Sequence, residues 1–111
     1  MDNVYVLVRT MEGFKPYIKT NDLVKVCKSK ESVVRCANEY IRQMKVALAM
    51  WSRGSELKCE FIDKTVTEDD LFSRYSTGGP WFEEYVFHKS FDKEGMRKQE
   101  WSIHVEEWPV E

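Results

Sequence analysis

Apolar positions along this chain follow two different periods, and the changes of period divide it into elements. Val4, Tyr5, Val6, Leu7 and Val8 are apolar throughout, with a β-branched residue at every second position. A strand covered on both faces reads this way, so a central strand is expected. Met11-Glu12-Gly13 predicts a hairpin loop, with Gly13 free to take a positive φ. The return strand, 14–19, contains Pro16, which has no N–H for a ladder and therefore belongs at an edge. Asn21-Asp22 predicts a turn, and 23–27 a further short strand.

The period then changes to that of a helix over 30–53. Val33, Ala37, Tyr40, Ile41, Met44, Ala47, Leu48 and Trp51 recur three and four apart, which places them in one stripe. Ser29 is a suitable N-cap, Glu31 lies in the first turn, and Gly54 stands where a helix ends. At ~1.5 Å per residue such a helix is about 36 Å long, and its stripe must lie on a sheet. Residues 57–64 alternate Leu57, Cys59 and Phe61 against Lys58 and Glu60, the pattern of a half-buried strand. Thr67-Glu68-Asp69-Asp70 resembles a capping box with Asp in place of Glu. A short helix through Leu71, Phe72 and Tyr75 should follow, broken by the Gly/Pro-containing segment 76–80.

The last third predicts a hairpin with a definite register. Asp92-Lys93-Glu94-Gly95 fits a three-residue loop with Gly95 in the left-handed region. Pairing Asp92 with Met96 sets Phe87 opposite Trp101 and Tyr85 opposite Ile103. On the other face it sets His88 opposite Glu100 and Glu84 opposite His104. The expected fold is α+β: a mostly antiparallel sheet of five to six strands with one long amphipathic helix on one face, plus a short second helix. At 111 residues the chain makes one domain, 1–111.

Composition narrows the function classes. Hydrophobic residues are 42% and charged residues 32%, an ordinary globular balance. No apolar run approaches the ~18 residues of a membrane span. The first residues carry neither a basic n-region nor an apolar stretch, so a cytoplasmic location is expected and no membrane association. Cys27, Cys36 and Cys59 are odd in number and lack metal-site spacing, so reduced, mostly buried thiols are expected. No cofactor or metal is implied. The net charge of −2 conceals an asymmetry: residues 1–55 carry ten Lys/Arg and five Asp/Glu, residues 56–111 seven and fourteen. The plainer reading is mutual neutralisation within one fold; the sharper one is two surfaces of opposite sign.

Four features invite a chemical reading. His88 and His104 share a face in the expected register but stand about four residues out of step, too far for one metal ion at ~3.3 Å per residue. Each is expected to face a carboxylate as a surface pair. The segment Ser76-Thr77-Gly78-Gly79-Pro80-Trp81 is Gly-rich but lacks the Lys and helix of a P-loop, so a turn is expected. On the outward face of the long helix Arg35, Arg42 and Arg53 align, since seven and eighteen residues are near-whole numbers of turns. Lys45 lies beside them, Glu39 is placed to pair with Arg35, and Val46, Ala49 and Met50 add an apolar patch. At the open end of the last hairpin Trp81, Phe82, Glu83 and Glu84 come near Glu106, Glu107 and Trp108. That acidic-aromatic surface suits a basic protein partner.

The passage 24–40, a strand followed by Ser-Lys-Glu and a helix, resembles many small bacterial and phage proteins. Its spacing follows from a strand, a cap and an amphipathic helix, and it imports no activity. The leading expectation is a small non-enzymatic protein-binding or regulatory module acting by surface occupancy. One form is a phage-type inhibitor of a host defence protein. Its partner-binding residues would be Trp81, Phe82, Glu84, Glu106 and Trp108, with Arg42, Lys45, Met50 and Arg53 as a second patch. The alternatives are a nucleic-acid-binding protein using the basic helix face, and a small enzyme using His88 or His104. A self-complementary homodimer is a further arrangement that opposite patches permit.

Overall fold

The computed structural model describes residues 2–75, 79 and 81–110. Five strands and two helices follow one another as β1 (Asn3–Gly13), β2 (Ile18–Cys27), α1 (Lys30–Ser52), β3 (Lys58–Phe61), α2 (Glu68–Phe72), β4 (Tyr85–Phe91) and β5 (Arg97–Pro109). All strand pairs are antiparallel, in the order β2-β1-β5-β4-β3. The fold is α+β: one five-stranded antiparallel sheet, one long helix and one short one.

The first and last strands form the middle of the sheet, paired from Asn3↔Pro109 to Gly13↔Gln99. Their side chains alternate between two faces. Tyr5, Leu7 and Arg9 face α1 together with Trp101, Ile103 and Val105. Val4, Val6, Val8 and Thr10 face away from it with Ser102, His104, Glu106 and Trp108. The core joins Leu7, Phe87, Ile103 and Val105 of the sheet to Val33, Ala37 and Ile41 of α1. Val66, Leu71 and Phe82 close its side. Ser29 caps α1 by accepting from Ser32 N at 3.1 Å, and Thr67 and Asp70 complete the capping box of α2.

Three local expectations are corrected. The first hairpin turns at 14–17, not at 11–13: β1 runs through Gly13 and β2 passes straight through Asn21-Asp22. Long pairing with β1 outweighs the turn preference of Asn and Asp, and positive φ falls on Lys15 rather than Gly13. The helix stripe is shorter than its period suggests. Val33, Ala37, Ile41 and Leu48 are buried, but Ala47 is exposed and Trp51 is 54% exposed, so the buried face of α1 narrows toward its C-terminal end.

The third concerns β4 and β5. Asp92 N donates to Met96 O and Gly95 takes φ 85°, as the loop requires. Tyr85 also stands opposite Ile103. Between these points two bulges shift the register by one residue and restore it, so His88 faces Trp101 and Lys89 faces Glu100. Phe87 is the bulged residue and not the partner of Trp101. His88 therefore turns into the core, 1% exposed, with its ring 4.4 Å from that of Phe61.

Candidate functional site

The face of the sheet opposite α1 is covered by no helix among the described residues, and a cleft of about 590 Å³ lies on it. One wall is Lys19 and Asn21 of β2; the other is the segment Trp81, Phe82, Glu83 and Glu84, with His104 and Glu106 of β5 between them. These walls stand on opposite sides of β1 and β5 in the strand order, so this face is concave.

The 81–84 segment is placed by backbone pairing. Trp81 bridges to Glu106, and Phe82 N donates to Val105 O at 2.8 Å, extending the sheet along β5 before β4 begins. Alternation then sends the two aromatics to opposite faces. Trp81 lines the cleft. Phe82, 3% exposed, packs edge-on against Phe72 and stacks on Tyr75. Phe82 borders the cleft and anchors its wall from beneath, with its side chain buried.

Glu106 is held from both sides. Its Oε2 lies 3.0 Å from His104 Nε2, and its Oε1 accepts from Trp108 Nε1 at 3.0 Å. His104 thus pairs with a carboxylate two residues along its own strand, not with Glu84 across the hairpin as the register argument expected. Its other nitrogen, Nδ1, is buried with no partner among the described residues, so among these residues the imidazole offers no free nitrogen toward the cleft. Thr10 Oγ1 donates to Asn21 Oδ1 at 2.7 Å beneath the β2 wall. The cleft carries three carboxylates against one ammonium, Lys19. Its negative charge sits beside Trp81 and Trp108, whose indole faces also attract cations. Beyond the cleft the same face continues as an apolar strip of Val4, Val6, Leu23 and Val26.

The remaining candidates are dispersed. Glu107 points to the α1 side, accepting from Asn3 Nδ2 at 2.7 Å and Tyr75 Oη at 3.1 Å. On the outer face of α1, Glu39 binds Arg42 at 2.6 Å instead of pairing with Arg35, and Lys45 lies 3.4 Å from Asp63. The basic row is interrupted by these carboxylates. Met50, 63% exposed, lies there with Val46, while Arg53 ends the helix through its backbone N–H to Met50 O. Among the described residues His88 has no carboxylate partner and neither ring nitrogen is hydrogen-bonded; burial pushes its pKa below the ordinary histidine value. Of the Gly-rich segment, Ser76, Thr77, Gly78 and Pro80 lie outside the described residues. Among the described residues no group of three His, Cys, Asp or Glu side chains is arranged around a metal position, and no helix is long and apolar enough to cross a membrane.

Sequence reasoning missed Lys19 and Asn21. Breaking the chain at Asn21-Asp22 hid the alternation Lys19, Asn21, Leu23 that places one face of β2 across the cleft. Fold and site together define a two-layer α+β protein whose open sheet face carries an acidic-aromatic cleft. No protein-family model, curated protein or solved structure matches the chain.

Proposed function

We propose that this chain is a protein-recognition module whose helix-free cleft takes a cationic segment of its partner, acting by occupancy and without a chemical step. The observation that carries the reading is the convergence of Trp81, Glu83, Glu84, His104 and Glu106 on one concave surface. Separate stretches of chain, 81–84 and 104–108, supply acid and indole to the same place. An Arg or Lys side chain entering it exchanges water for carboxylates and aromatic faces, the chemistry of a charged hot spot. The adjoining strip of Val4, Val6, Leu23 and Val26 favours a partner segment that is apolar beside its basic positions. The closed ring of His104, with Nε2 on Glu106 and Nδ1 buried, supports binding over acid–base catalysis.

The test is a backbone and indole N–H correlation spectrum recorded while adding a short Arg/Lys-Val peptide, and separately its Glu/Asp-Val counterpart. Shift changes confined to Trp81, Glu84, Trp108 and β2, seen with the basic peptide alone, are expected. Equal response to the acidic peptide, or changes centred on Arg42 and Arg53, would overturn the reading. The second result would move the site to the α1 face.

A further inference from the structure

Cys27 ends β2 and Cys36 lies in the second turn of α1, and their sulfur atoms are 3.6 Å apart. Cys27 is buried. Cys36 is half-exposed and lines a separate cleft of about 580 Å³ with Lys25, Arg35, Glu39, Tyr40 and Gln43. One thiol is therefore reachable from solvent and the other waits directly behind it. Cys59 lies on β3, at the opposite edge of the sheet from β2.

We propose that Cys27 and Cys36 form a dithiol modification site that reduces a low-molecular-weight disulfide of the glutathione class and closes into an internal disulfide. Cys36 attacks first, because only it borders the cleft. As a thiolate it forms a bond to one sulfur of the reagent, whose S–S bond breaks and whose other half leaves with the electron pair and takes up the proton. Cys27 then loses its proton and attacks Cys36 Sγ. The new protein S–S bond forms, the mixed disulfide breaks, and a second reagent thiol departs. Two protein thiols are oxidised and one reagent disulfide is reduced to two thiols. The sulfurs need to approach from 3.6 Å to about 2.05 Å, within the reach of side-chain rotation. Lys25 and Arg35 at the entrance favour an anionic reagent, and Glu39 there is engaged by Arg42. Burial pushes the Cys27 thiol pKa up, so Cys27 stays protonated before the first step, and its place 3.6 Å from Cys36 offsets its smaller thiolate fraction in the second.

Trypsin separates the three cysteines into peptides 26–28, 36–42 and 59–64. The reduced, folded full-length chain is treated with oxidised glutathione, quenched in acid, alkylated, digested without reductant and read by mass spectrometry. Peptide 26–28 linked to 36–42, with Cys59 alkylated and reacting at least tenfold more slowly, is expected. Cys27→Ser, or Cys27→Ala if the serine variant folds poorly, should stop at glutathione on Cys36. A wild-type chain that keeps glutathione on Cys36 without closing, links Cys59 instead, or reacts no faster at Cys36 than at Cys59 overturns the proposal.

Discussion

The Trp81 indole occupies the volume in which a side chain on Gly79 would stand: a Cβ built there overlaps three atoms of the six-membered ring. Gly79 is therefore required by a close approach, not by a positive φ. Gly79→Ala should force Trp81 off the cleft wall at a cost of about 1–3 kcal/mol, the usual range for overpacking. Lowered urea midpoints and a red-shifted, more quenchable tryptophan emission would register the displacement.

Glu84 is exposed on the cleft wall. Glu84→Lys should leave stability within ~0.5 kcal/mol of wild type. Binding of a basic peptide should weaken about tenfold or more, corresponding to ~1.4 kcal/mol or above. Calorimetric titration checks the affinity and thermal unfolding checks the fold. Unaltered affinity in a folded variant would exclude the cleft.

His88 is held neutral by burial, with its pKa below the ordinary value of 6.5. The unfolded chain then binds a proton that the folded chain refuses, so stability should fall as pH drops below about 6.5 and go on falling until the folded pKa is reached. Nothing is lost from this source above neutrality. His88→Leu removes both unpartnered nitrogens and should raise stability at pH 5 by about 1–3 kcal/mol relative to wild type, with a smaller effect at pH 8. Urea unfolding at the two pH values measures the difference.

Leu48 and Trp51 test where the packed face of α1 ends. Leu48 is buried and Trp51 exposed, although both belong to the same helical stripe. Leu48→Ala should cost about 2–5 kcal/mol. Trp51→Ala should change stability by no more than ~0.5 kcal/mol. Equal losses in chemical denaturation would place Trp51 in a packed interior.

What could be read from the sequence was whatever depends on local pattern. The α1 cap at Ser29, the α2 box at Thr67 and Asp70, and the Gly95 loop all follow from side chains acting on their own backbone. The acidic-aromatic cluster was legible because one hairpin brings 81–84 to 106–108. The rest depends on partners remote in sequence. Two compensating bulges leave both ends of the β4–β5 register correct while turning His88 inward, and alternation alone cannot reveal a pair of offsets that cancel. The β2 wall of the cleft depends on β1 holding Asn21-Asp22 in a strand, and the exposure of Trp51 on what packs against the end of α1.

Among the described residues β2 has a neighbouring strand on one side only, so it presents a ten-residue border on which Ile18, Leu23 and Val26 are exposed. A straight apolar border of that length invites edge-to-edge addition of strands from other molecules and growth into fibrils. Val24 breaks it: the residue is extra to the β1 register and bends the strand, with Lys25 and Lys19 adding charge to either side. A bulge at that place, with Val24 turned against the core, leaves an added strand a poorer ladder to pair with. A chain lacking Val24 should keep its helix but gain a seedable, thioflavin-positive state.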